Sequence, residues 1–207
     1  MKRIFVTGIS TEVGKTIASA ILVEALEADY WKPVQAGDLD YSDSHKIAKL
    51  ISNKNSVIHQ NSYALNTPMS PHAAAEIDGI QIDLMAIKEP KTNNHLVIEG
   101  AGGLLVPLNQ TDTIADLIQP NYHVVVVSRH YLGSINHTLL TLEAIKNRGL
   151  KASLIFSGEE HPTTEQIILE KSKAACLGRI GEEPEFTKEV VKKYAQAFNQ
   201  SLSGLGS

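Results

Sequence analysis

Short runs of aliphatic and β-branched residues alternate along this chain with longer stretches in which apolar residues recur every three to four positions. The short runs predict strands over residues 4–7, 30–34, 96–99, 124–128 and 152–156. The longer stretches predict helices over 15–28, 44–52, 71–76, 134–147, 164–175 and 188–200. Strand and helix in alternation are the pattern of a mostly parallel, doubly wound α/β sheet with helices on both faces. Val124, Val125, Val126 and Val127 show no polar alternation, so that strand is expected at the centre, covered from both sides.

With 207 residues the chain is long enough for one α/β core, and we expect a single domain over residues 1–200. The Gly/Ser-rich tail, residues 201–207, is expected to fray. Hydrophobic residues make up 43%, which predicts a packed globular core rather than a disordered chain. The net charge of −4 and the scattered lysines and arginines argue against nucleic acid or an anionic membrane as partner. Cys176 is the only cysteine, which excludes an intramolecular disulfide and a zinc site built from several thiolates. The first residues carry no apolar signal-peptide core, and no apolar stretch approaches the roughly 20 residues of a membrane span. A cytoplasmic setting is expected.

The chemistry enters at Gly8-Ile9-Ser10-Thr11-Glu12-Val13-Gly14-Lys15-Thr16, between the first strand and the first helix. That context makes it a phosphate-binding loop, and the fold expectation becomes that of a P-loop NTPase. Backbone N–H groups of the loop and of the helix start converge on one point, where they and the helix dipole attract phosphate oxygens. Lys15 can reach the β- and γ-phosphates, and the Thr16 hydroxyl can join a magnesium shell. Five residues separate Gly8 from Gly14, one more than in the common spacing, so the loop is expected to bulge.

Glu99 ends a strand and precedes the glycine-rich Gly100-Ala101-Gly102-Gly103, which places it at the same sheet edge as the loop. There it is a candidate magnesium ligand or, alternatively, a turn cap. Lys32 stands in a strand otherwise fit for burial, so it either faces an anion or carries its charge out to solvent. Asp43 reads as a helix cap or first-turn acid on its own position. Ser134, after Leu132-Gly133, caps a helix whose N-terminus could also hold a substrate carboxylate. His45, His72, His130 and His137 have no metal-ligand spacing, and no nucleophile–base arrangement is legible.

Taken in order, Val6-Thr7-Gly8 through Gly14-Lys15-Thr16, Lys32-Pro33-Val34, Ser42-Asp43, Ser70-Pro71-His72, residues 98–103 and residues 132–137 resemble the dethiobiotin synthetase family, including its longer phosphate loop. The resemblance implies an ATP-dependent cyclo-ligase of biotin biosynthesis that converts 7,8-diaminononanoate and CO2 to dethiobiotin through a carbamate and a mixed carbamic-phosphoric anhydride. It implies Mg2+ on Thr16, Asp43 and Glu99. It also implies nucleotide contacts from Glu12, Val13, Gly14, Lys15, Thr16 and Ile17, with Gly100, Ala101, Gly102 and Ser157 on the nucleotide's side. Lys15 and Lys32 would stabilise the carbamate and the transferring phosphoryl group, with Thr11 beside the substrate. Gly133, Ser134, Ile135 and Asn136 would receive the substrate's carboxylate across a homodimer interface. Three positions depart from the family pattern. Ala36 stands where a substrate-binding hydroxyl is usual, Ser157-Gly158 where an asparagine reads the adenine edge, and Gly181 where proline is common.

Two other readings use the same loop. Partition and division ATPases of the MinD and ParA kind share the sheet but carry a second lysine where this chain has Ser10. Cobyrinate amide synthetases need a glutaminase domain that 207 residues cannot also hold.

Overall fold

The computed structural model describes residues 1–205. In chain order its elements are β1 (Arg3–Gly8), α1 (Lys15–Leu26), β2 (Asp29–Trp31), β3 (Val34–Ala36), α2 (Asp43–Leu50), β4 (Tyr63–Leu65), α3 (Pro71–Asp78), β5 (Leu96–Gly103), β6 (His123–Arg129), α4 (Ser134–Asn147), β7 (Lys151–Ser157), α5 (Pro162–Ser172), β8 (Ala175–Ile180) and α6 (Lys188–Ser203). Six strands form one parallel sheet in the order β2-β5-β1-β6-β7-β8. β3 and β4 form a small separate parallel pair. All six strand ends therefore point to one edge, where ligands bind in such sheets.

Helices cover both faces. Ile4, Val6, Val97, Val125, Val127 and Tyr30 pack with α1 and α6 in one core. Phe5, Leu96, Ile98, Val124, Val126 and Phe156 pack with α3, α4 and α5 residues in the other. The four valines of β6 divide between the two cores, as expected of a central strand.

The expected strand over 30–34 is split. β2 stops at Trp31, and Lys32-Pro33 breaks the pairing because proline has no N–H to donate. The two parts serve different sheets, with β2 at the edge of the large one. β4 and β8 are additional strands: the three residues of β4 carry too little pattern to detect, and β8 contains Gly178 and pairs with β7 through a register shift beside it. The tail also differs from expectation. α6 continues to Ser203, and Leu202 and Leu205 are buried, with the Lys2 ammonium donating to both their carbonyls. Residues 206 and 207 lie outside the described residues. No described helix is long and apolar enough to cross a membrane.

At the opposite end of β6, the His123 ring lies 2.9 Å from the Ser153 hydroxyl. Burial, reinforced by the charges of Lys151 and Lys2, holds its pKa below the ordinary 6.5. On acidification the unfolded chain takes up this proton first, so the stability involved is present above about pH 6.5 and is lost as pH falls towards the depressed folded value. The melting temperature should therefore fall from about pH 7.5 to about pH 5.5, and His123→Gln should flatten part of that fall. An unchanged slope in thermal denaturation of the variant would contradict this.

Candidate active site

The phosphate loop leaves β1 at Gly8, where any side chain would collide with Val13 Cγ2 at 2.5 Å and the Ser10 carbonyl at 2.8 Å. The extra residue is taken up by two left-handed conformations, Glu12 at φ 56° and Gly14 at φ 91°. Gly14 is the residue before α1 and offers no side-chain cap, so the first amides of the helix remain directed at the loop's interior. Lys15 folds back so that its ammonium donates to the Ser10 carbonyl at 3.1 Å. Burial lowers its pKa, with Lys32 adding to the effect and Glu99 opposing it. An anion in the loop supplies the counter-charge that this lysine lacks.

Strand alternation assembles the acidic side. In the parallel register Tyr30 sits opposite Val97, so Tyr30, Lys32, Val97 and Glu99 all project from the face covered by α1. Glu99 is 1% exposed. Its Oε1 accepts from the Thr16 hydroxyl at 3.0 Å and from the Lys32 ammonium at 3.2 Å, while its Oε2 accepts from the Tyr30 hydroxyl at 3.1 Å. Lys32 also donates to Asp43 Oδ2 at 2.5 Å. Burial works against its charge, but Glu99 and Asp43 outweigh burial and raise its pKa. Asp43 is likewise held below the usual carboxylate range, because Lys32, and then Lys46 at 3.2 Å, overcome the desolvation that opposes its charge. Tyr30 is kept neutral well past its ordinary range, by burial first and by the Glu99 charge second.

Of the expected trio, Asp43 and Glu99 thus share one ammonium group, and Thr16 joins them through Glu99. Asp43 is the first residue of α2 and not its cap: Ser42 and His45 form the capping box. Among the described residues no group of three or more His, Cys, Asp or Glu side chains could hold a metal unaided. Two carboxylates and a hydroxyl are nevertheless oxygen donors of the kind Mg2+ takes, with phosphate and water completing its shell. Lys32 already demonstrates that a cation fits between them.

The other expected residues surround this centre in two groups. Thr11 and Glu12 lie exposed on the loop, Val13 is buried beneath it, and Ile17 is half-buried on α1. Gly100, Ala101 and Gly102 continue β5 past Glu99, and Gly103 pairs with Gly8 of the loop's first turn. Ala36 ends β3. Gly133, at φ 103°, precedes α4 without a side-chain cap, while Ser134 is buried and Ile135 half-exposed. Ser157 ends β7 on the far side of the loop from Glu99, since β6 and β7 lie beyond β1 from β5. Its hydroxyl donates to the Val13 carbonyl at 2.6 Å, so it braces the loop from below.

Sequence reasoning missed three participants. Tyr30 stood only as the first residue of a predicted strand, and only the β2–β5 register brings it to Glu99. Gln35 accepts from the Asp43 N–H at 3.4 Å and donates to the Gly37 carbonyl at 2.9 Å, which fixes the approach to α2. Lys46 was legible only as a residue one helical turn after Asp43. The brace at Ser157 carries a prediction. Ser157→Ala should cost about 1 kcal/mol of stability and weaken nucleotide binding several-fold, measured by calorimetric titration; unchanged affinity would show that the loop holds its shape without it.

Comparisons with known proteins bear on this geometry. A family model described as an AAA domain matches residues 2–190. The chain is 63% identical to the ATP-dependent dethiobiotin synthetase BioD of Christiangramia forsetii, covering 97% of this chain and 98% of that one. It is 52% identical to the protein of the same name from Cytophaga hutchinsonii, over 94% of this chain and 96% of that one. The solved cell-division ATPase MinD of Pyrococcus furiosus aligns over 100% of both chains with a TM-score of 0.61 at 14% identity. A putative plasmid partition protein of Borrelia burgdorferi bound to AMPPNP aligns over 99% of both, also at 0.61, with 16% identity. These two share the fold and carry no further argument at such identity. The near-full-length identity to the curated relatives and the order of the site residues together establish that this chain belongs to the dethiobiotin synthetase family.

Proposed function

We infer that the protein is an ATP-dependent cyclo-ligase that makes dethiobiotin from 7,8-diaminononanoate, CO2 and ATP, releasing ADP and phosphate. The observation that carries this reading is the meeting of Lys32, Glu99, Asp43 and Thr16 beside a phosphate loop with an unneutralised Lys15. A carbamate formed from one substrate amine and CO2 is an anion, and so is the γ-phosphate it attacks. Bringing the two together needs fixed positive charge and exclusion of water.

In the reading we favour, the amides of residues 12–17 hold the nucleotide's phosphates and Lys15 swings from the Ser10 carbonyl onto them. Lys32 neutralises the carbamate as its oxygen attacks the γ-phosphorus and ADP departs. The second amine then attacks the carbonyl carbon of the mixed anhydride, and phosphate leaves as the ring closes. Thr16, Asp43 and Glu99 are the residues that would hold Mg2+, which screens phosphate charge when bound. Thr11 lies on the substrate side of the loop, and Ala36 offers only a methyl group there. Ser157 acts on the nucleotide through the loop it braces. The nucleoside extends over the ends of β7 and β8, because the γ-phosphate points towards β5.

A homodimer and a cytoplasmic location complete the proposal. Leu132, Leu140 and Leu105 are exposed around the start of α4 and the turn after β5, an apolar surface suited to a second copy. The amides of Ile135 and Asn136 at that helix start would receive the substrate's carboxylate from across the interface. A MinD- or ParA-like switch remains the rival from another class, and Ser10 in place of a lysine weighs against it.

Purified protein given diaminononanoate, bicarbonate and MgATP should yield dethiobiotin by mass spectrometry; nucleotide hydrolysis without product would favour the switch. Lys15→Gln should lower kcat by at least about 10²–10³-fold with no loss of stability, because it removes a buried charge that lacks a carboxylate partner. Lys32→Gln should lose turnover as strongly and also destabilise the metal-free protein by about 3–5 kcal/mol, because it leaves the buried Glu99 without a cation and Asp43 with Lys46 alone. Normal kcat in either variant, measured with the melting temperature, would remove its assigned role.

A further inference from the structure

The phenol of Tyr30 is fully buried, and its hydroxyl is spent on one atom, Glu99 Oε2, at 3.1 Å. The other carboxylate oxygen, Oε1, faces the phosphate loop and meets Thr16 and Lys32. The two oxygens therefore have different tasks: one is turned towards the reaction and the other is anchored in the core. Glu99 has its own backbone fixed in β5, but its carboxylate plane can still turn about the last side-chain bonds and aim neither oxygen at the loop. A donor held by a neighbouring strand prevents that. The donor is rigid, because the ring packs in the core shared by β1, β5 and α1.

We propose that Tyr30 is a positioning residue for the reaction: by donating to one oxygen of Glu99 it fixes the plane of the carboxylate, so that the other oxygen is aimed at the divalent cation of the nucleotide. The inference deepens the ligase reading and rests on it for the role of Glu99. Loss of the hydroxyl has two opposed effects. It frees a lone pair and makes the carboxylate more basic, but it also leaves Oε2 without a donor in a site closed to water. The second effect should prevail, because a carboxylate with an unsatisfied buried oxygen reorients to recover a donor and leaves its working orientation. Hydrogen-bond partners of metal-binding carboxylates commonly matter by about 10–100-fold in affinity or activity.

Tyr30→Phe keeps the ring and deletes only the hydroxyl. With the full-length variant and AMPPNP, Mn2+ affinity read by electron paramagnetic resonance should weaken about 10–100-fold. The Mg2+ concentration for half-maximal turnover should rise in parallel, and kcat at saturating Mg2+ should recover most of its value. Val97→Ala, which thins the same core without removing a Glu99 partner, should lower the melting temperature and leave Mn2+ affinity unchanged. In wild-type protein with 13C at tyrosine Cζ, the Tyr30 resonance should shift when Mg2+ and nucleotide bind, whether or not the variant folds well. Wild-type Mn2+ affinity in Tyr30→Phe overturns the proposal, as does an equal loss in Val97→Ala or a Tyr30 resonance that ignores the cation. Glu99→Gln separates the levels: if it too binds Mn2+ normally, the metal reading of the site has failed and this proposal falls with it; if it binds poorly while Tyr30→Phe binds normally, only this proposal is lost.

Discussion

Glu99 is a carboxylate almost wholly withdrawn from water in the middle of a parallel strand, and a charge in that position survives only if donors and cations surround it. The molecule supplies Tyr30 and Lys32 from the neighbouring edge strand and its continuation, and Thr16 from the first turn of α1. Lys32 in turn is too deep to stand alone and draws in Asp43. The result is a small network of alternating charge whose members come from four segments of the chain. It has no structural need that plain apolar packing could not meet more cheaply. Its position beside an anion-seeking loop gives the reason for its presence.

The loop and the network divide the carboxyl edge of the sheet between them. On the β5 side lie the lysine and carboxylates suited to a transferring phosphoryl group. On the β7 side Ser157 supports the loop from beneath and the strand ends open towards β8. In the proposed function a triphosphate between these halves would have a fixed direction, with its terminal phosphate at Lys32 and its nucleoside over β7 and β8. Direction of this kind is what lets one fold serve ligases and switches alike: chemistry is set by what waits at the terminal phosphate, not by the loop.

Much of this was legible in the residues. The loop and the positions of Lys15 and Thr16 followed from a strand–glycine–helix context; Glu99 was expected to end its strand, whereas β5 runs on through the glycines to Gly103. The Val run announced the central strand. Other features were invisible for physical reasons. Nothing local showed that the strand expected over 30–34 would break at Lys32-Pro33 and that the following residues would pair with Tyr63–Leu65 instead. Tyr30 carries no local mark of function, because its meaning depends on a register with a strand about 67 residues away in sequence. The tail looked frayed by composition, yet Leu202 and Leu205 find a hydrophobic seat that only the folded sheet provides.

The ammonium of Lys32 holds together two carboxylates that, in the proposed function, would serve a cation when the nucleotide arrives. Crystals grown with Mn2+ and AMPPNP test it directly through the metal's anomalous signal. The account predicts a peak within bonding distance of Thr16 Oγ1, Asp43 and Glu99 Oε1, with Lys32 moved onto the γ-phosphate. A nucleotide-bound crystal in which Lys32 still bridges Asp43 and Glu99 and the metal lies elsewhere would contradict it.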